Sequence, residues 1–80
     1  MKLEFFYYTG CPFCHRVMDV IDQLGIKLTY CDIMNDTSAL ERHINTTGRR
    51  TVPCLYIDDK PMFESQDIIN WLIANKDKIN

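Results

Sequence analysis

One change of pattern constrains this chain more than any other feature. From Leu3 to Tyr8 it is a short aromatic run, and from Phe13 onward its apolar residues recur at helical spacing. Leu3-Glu4-Phe5-Phe6-Tyr7-Tyr8 reads as a buried strand that ends at a Thr9-Gly10 turn. Cys14, Val17, Met18, Ile21 and Leu24 then fall on one face of a helix, with His15, Arg16, Asp19, Asp22 and Gln23 on the other and Gly25 as its C-terminal cap. Ile26, Leu28 and Tyr30 alternate with Lys27 and Thr29, which predicts a second strand. Such a strand-helix-strand unit is parallel with a right-handed crossover. Cys11 and Cys14 stand at the handover from first strand to first helix, the end of a parallel sheet where chemistry collects.

The rest of the 80 residues extends the same architecture. Asn35-Asp36-Thr37-Ser38 is a polar break, Ser38 and Glu41 have capping-box spacing, and Leu40 with Ile44 gives a thin apolar stripe for a short helix before Gly48. Cys54-Leu55-Tyr56-Ile57, the turn Asp58-Asp59 and Pro61-Met62-Phe63 predict a hairpin. Ser65 can cap a last helix with Ile68, Ile69, Leu72 and Ile73 at helical spacing. No repeat or linker interrupts residues 1–80, so the expectation is a single α/β domain.

Composition removes several classes of function. Residues 1–30 carry three basic and three acidic side chains and residues 31–80 six and eight, so no nucleic-acid-binding face is expected. No apolar run approaches the roughly 20 residues of a membrane-spanning helix, and no membrane role is expected. Met1-Lys2-Leu3-Glu4 lacks the pattern of a secretory signal. A reducing, cytoplasmic setting is the expectation, and there a close cysteine pair signals redox chemistry or metal.

Helix geometry gives that pair its reactivity. Disulfide exchange is carried out by the thiolate, and a free cysteine has a pKa near 8.5. Cys11 precedes the first turn, where unpaired N–H groups and the positive dipole end favour an anion. Pro12 suits the first helical position because its missing N–H would go unused. The N–H groups of Phe13 and Cys14 are expected to point at the Cys11 sulfur. Cys14, one turn in, is expected to be less exposed and less acidic, which makes Cys11 the attacking and Cys14 the resolving thiol of a redox disulfide. His15 and Arg16 add positive charge if they lie close, and are otherwise solvated helix polarity.

Tyr7-Tyr8-Thr9-Gly10-Cys11-Pro12-Phe13-Cys14-His15-Arg16 resembles the active-site segment of the dithiol glutaredoxins, and Thr47-Gly48-Arg49-Arg50-Thr51-Val52-Pro53 resembles their T-V-P signature. The resemblance covers nearly the whole chain. It implies a thioredoxin-like fold, a four-stranded mixed sheet with three helices, and glutathione as cosubstrate. It places Thr9, Pro12, Phe13, Arg49, Thr51, Val52, Pro53, Ser65, Gln66 and Asp67 around glutathione. Pro53 would be a cis-proline facing the cysteines, and the Val52 backbone would pair with the cysteinyl part. Arg49 or Arg50 would meet the glycyl carboxylate; Ser65 and Gln66 would hold the γ-glutamyl carboxylate by their N–H groups, and Asp67 would meet its ammonium. Three departures stand out: Phe13 replaces a tyrosine, Phe63-Glu64 replaces a glycine pair, and no basic residue precedes the cysteines. The resulting Glu64-Ser65 is similar to the pair in the N-terminal domain of glutathione transferases.

The expected activity is glutathione-dependent reduction of protein disulfides and glutathione mixed disulfides by a monomer with no metal. Its rivals are an iron–sulfur carrier ligated by Cys11 and glutathione, and a non-catalytic glutathione-binding module. Cys11-x-x-Cys14-His15 also matches the c-type haem attachment motif, with Met18, Met34 or Met62 as conceivable axial ligands. Cys31 and Cys54 read as buried small apolar side chains.

Overall fold

A computed structural model describes residues 1–79. Its elements are β1 (Leu3–Tyr7), α1 (Pro12–Leu24), β2 (Thr29–Asp32), α2 (Thr37–Thr47), β3 (Cys54–Ile57), β4 (Lys60–Met62) and α3 (Ser65–Ile79). The sheet has the order β2-β1-β3-β4. β1 runs parallel to β2 and antiparallel to β3, which pairs antiparallel with β4. This is the four-stranded mixed sheet with three helices that the sequence leads one to expect.

Alternation along the central strands divides the core between two faces. Phe5 and Leu55 join Val17 and Ile21 of α1 and Ile68 and Leu72 of α3 on one side. Phe6, Cys54 and Tyr56 point the other way, onto Ala39 of α2 and Ile33. Phe5, Phe6, Leu55 and Tyr56 are fully buried, and full burial of one such side chain contributes on the order of 1.5–3 kcal/mol. Both faces therefore pack β1 and β3 into the core, and the Cys11 junction follows β1 after the short Tyr8-Thr9-Gly10 turn.

Local hydrogen bonds move several boundaries from their expected places. Gly25 adopts the left-handed conformation (φ 66°) and ends α1 as anticipated. Its N–H donates to the Asp22 carbonyl and that of Ile26 to the Ile21 carbonyl, both at 3.1 Å. This closing motif occupies Ile26, so the second strand starts at Thr29 instead, where Glu4 supplies a partner. The cap of α2 is Asp36, not Ser38: its carboxylate accepts the Ser38 and Ala39 N–H groups at 3.1 and 3.3 Å. The buried face of α2 is Ala39 and His43, while Ile44 lies at the exposed margin. Ser65 is the first residue of α3 and not its cap, since the Glu64 carbonyl accepts the Ile68 N–H at 2.9 Å. Ile73 is half exposed, outside the stripe of Ile68, Ile69 and Leu72. Asp58 and Asp59 form the hairpin turn with φ of 48° and 70°.

Candidate active site

The cysteine pair is built by the start of α1. Cys11 has extended backbone (φ −91°, ψ 110°) and its sulfur accepts the Cys14 N–H at 3.3 Å, with Pro12 as the first helical residue. Only the Cys14 N–H makes this bond; the Phe13 N–H, also expected to point at the sulfur, does not appear among its donors. The Cys11 N–H donates to the Tyr8 carbonyl at 3.1 Å, tying the cysteine back to the strand end. Both thiols are free. Cys11 is 4% exposed and Cys14 is sealed at 0%, so the order of access is the expected one although Cys11 itself is well covered. Burial, and then the hydrogen bond with Cys11, pushes the Cys14 thiol up. Cys14 is thus a poor thiolate, chiefly because it is buried.

His15 and Arg16 are both committed elsewhere. The His15 Nε2–H donates to the Thr9 carbonyl at 2.6 Å, and Arg16 reaches across to the Gln66 amide oxygen of α3 at 3.2 Å.

Beside the pair runs a groove of about 220 Å³ lined by Phe13, Thr51, Val52, Pro53, Phe63, Glu64 and Ser65. The first wall follows from α1, the second from the loop between α2 and β3, and the third from the entry to α3. Val52–Pro53 is a cis peptide, as the resemblance implies; Phe63–Glu64 is also cis. Five of the residues expected around a glutathione molecule line this groove: Phe13, Thr51, Val52, Pro53 and Ser65. Thr9, Pro12, Arg49, Gln66 and Asp67 lie outside its lining. Thr9 is instead occupied by His15, and the Gln66 side chain by Arg16 and Asn70. Arg49 still borders the groove, because its guanidinium lies 4.4 Å from the centre of the Phe63 ring. Asp67 stands in the first turn of α3, where an acid complements the helix dipole.

Phe63 and Glu64, which depart from the family pattern, are both wall residues of this groove. Sequence reasoning missed His43 altogether. This imidazole is fully buried, with Nδ1 at 2.9 Å from the Tyr56 hydroxyl and Nε2 at 2.7 Å from the Thr51 carbonyl. A polar residue four positions after Ala39, on the apolar face of α2, was the available signal.

Cys54 is buried as expected, and burial pushes its thiol up to about 12. Cys31 is not: it is only half-buried, because β2 is an edge strand open on its outer side. Its thiol too is raised, by burial first and by Glu4 second. Among the described residues no group of three or more His, Cys, Asp or Glu side chains is placed to hold a metal, and no helix is long and apolar enough to cross a membrane.

A cysteine pair at a β1–α1 junction, with Phe13 between the two thiols sharing a groove with a cis-proline loop on a four-stranded mixed sheet, defines a thioredoxin-like protein. The glutaredoxin family model matches residues 2–62, and the chain belongs to that family. It is 32% identical over 75 residues to mouse glutaredoxin-1, covering 86% of this chain and 70% of the relative. It is 30% identical over 57 residues to glutaredoxin 3 of Escherichia coli K12, covering 71% and 69%. The buckwheat glutaredoxin–glutathione complex superposes with a TM-score of 0.71 at 26% identity, over 92% of this chain and 70% of that one.

Proposed function

We propose that this protein is a glutathione-dependent thiol-disulfide oxidoreductase of the dithiol type, acting as a single-domain monomer over residues 1–80 in the cytoplasm. The observation that carries the reading is the Cys11 sulfur held at a helix N-terminus, accepting the Cys14 N–H, beside a groove walled by Val52, Pro53 and Ser65. Family membership and the glutathione complex of the buckwheat relative support it.

In this reading the Cys11 thiolate attacks the glutathione sulfur of a mixed disulfide. A Cys11–glutathione disulfide forms, and the substrate leaves as its thiolate, which takes a proton from water. A second glutathione thiolate attacks that adduct, giving oxidised glutathione and regenerating Cys11. For a protein disulfide, Cys14 closes on the Cys11 mixed disulfide, releasing the reduced protein. Two glutathione molecules then reopen the Cys11–Cys14 bond. Loss of Cys11 as a hydrogen-bonded partner removes one cause of the raised Cys14 pKa, so the resolving thiol becomes easier to ionise after the first attack.

Glutathione lies along the groove, its cysteinyl backbone on Val52 and its γ-glutamyl carboxylate on the free N–H groups that open α3 at Ser65 and Gln66. Asp67 faces the ammonium, and Arg49 the glycyl carboxylate. Thr9, Pro12, Phe13, Thr51 and Pro53 shape the surface around the sulfur. The test is glutathione-coupled turnover of a small mixed disulfide by wild type, Cys11→Ser and Cys14→Ser. The reading expects no turnover without Cys11 and substantial turnover without Cys14. Equal loss in both variants, or a wild type inert toward glutathione, overturns it.

A further inference from the structure

We infer that His43, buried on α2 behind the groove, is a positioning residue that aims the Val52 N–H at glutathione; the inference rests on the functional reading above.

The Thr51 carbonyl can only accept, so the 2.7 Å contact requires the proton of His43 to sit on Nε2. A neutral ring then has Nδ1 as an acceptor, which the Tyr56 hydroxyl satisfies at 2.9 Å. The bonds run in one direction, from Tyr56 O–H through the imidazole to the Thr51 carbonyl. The ring is stacked on Phe6 with centroids 5.3 Å apart and lies tilted against Phe63 at 5.9 Å. Among the described residues no buried side-chain polar atom lacks a partner, and His43 satisfies two groups at once.

The consequence reaches the groove through one peptide unit. The carbonyl of Thr51 and the N–H of Val52 belong to the same planar group, and in a trans peptide they point in opposite directions. Holding the carbonyl inward on a buried imidazole therefore turns the Val52 N–H outward, toward the groove that Val52 lines. A hydrogen-bonded carbonyl also polarises its own amide, which makes that N–H a stronger donor. The same ring abuts Phe63, so one side chain braces two walls of the groove. A core residue that served only to fill space would need neither nitrogen.

Four variants and one spectrum decide the matter. In His43→Asn the shorter amide can accept from Tyr56 but not reach Thr51; in His43→Gln the longer amide can donate to Thr51. Tyr56→Phe keeps the Thr51 bond and removes the other, and His43→Leu removes both. With a glutathione mixed disulfide as substrate, His43→Asn and His43→Leu are expected to raise KM about three- to tenfold, with kcat little changed. His43→Gln and Tyr56→Phe should keep KM within about twofold of wild type, though Tyr56→Phe loses stability. A KM that follows stability across all four overturns the inference, as does an unchanged KM in His43→Asn. Nitrogen NMR of the wild-type imidazole gives a result independent of folding in the variants: an Nε2–H tautomer is expected, and an Nδ1–H tautomer rejects the inference. A wild type that does not turn over glutathione mixed disulfides rejects the functional reading itself, and this inference with it. Turnover with the wrong tautomer or unmoved KM rejects only the role of His43.

Discussion

The Arg49 guanidinium rests 4.4 Å from the centre of the Phe63 ring, so a cation from the α2–β3 loop lies against a wall of the groove. The residue that replaces a small glycine therefore holds a positive charge at the rim. Glutathione carries two carboxylates, and its binding should depend on that charge. Arg49→Ala is expected to raise KM for a glutathione mixed disulfide about three- to tenfold, with Arg49→Lys between, because an ammonium stacks less well on a ring than a guanidinium. Arg50→Ala should have little effect. Steady-state kinetics at two salt concentrations check this, since the Arg49 effect should shrink as salt screens it.

The other end of the molecule offers a pH test of stability. Arg42 grips both carboxylate oxygens of Glu4, at 2.6 and 2.7 Å, and also touches Asp59 at 3.3 Å. The Arg42 hydrogen bonds hold the Glu4 carboxyl below its ordinary value of 4.5. A depressed folded-state pKa contributes stability that is fully present above the unfolded value and lost as pH falls through the folded one. Glu4→Gln should therefore cost about 1.5 kcal/mol at pH 7, the low end for a charged hydrogen bond, because Arg42 keeps 39% of its side chain in solvent. Denaturant unfolding of both proteins should show the gap closing as pH drops below 4.5. A gap that stays constant with pH contradicts the assignment.

The thiols should react in order. With its thiol pushed up to about 12, Cys54 is ionised in about one molecule in ten thousand at pH 8. Cys14 is also raised, by burial first, and lies fully inside. Iodoacetamide on the native protein, followed by peptide mass mapping, should label Cys11 before Cys14 and leave Cys54 untouched until denaturant is added. Labelling of Cys54 at the Cys11 rate contradicts its burial.

Much of this was legible in the sequence because period and punctuation agreed. Gly25 ended α1, Asp58-Asp59 turned the hairpin, and Pro12 opened the helix at Cys11. Where reading failed, a non-local or competing bond decided. Asp36 caps α2 through the Ser38 and Ala39 N–H groups and so starts the helix two residues before the expected Ser38 cap, and the Ile26 N–H goes to the Ile21 carbonyl and delays β2. Cys31 departs from its expected burial because strand position in the sequence does not tell an edge from a centre. His43 escaped notice because a helix period marks polar residues as exposed, and its partners at Thr51 and Tyr56 lie eight and thirteen residues away. The T-V-P motif points to the groove residues Thr51, Val52 and Pro53, while Phe63 and Glu64 are legible as a departure from the family pattern and through the transferase-like Glu64-Ser65 pair.

The central claim is that Cys11 takes the glutathione moiety itself. Mixing Cys14→Ser with a glutathionylated peptide, without free glutathione, and mapping the adduct by mass spectrometry tests it most directly. The account predicts glutathione on Cys11 and the peptide released as a free thiol. The peptide joined to Cys11, or no adduct on Cys11 at all, would contradict it.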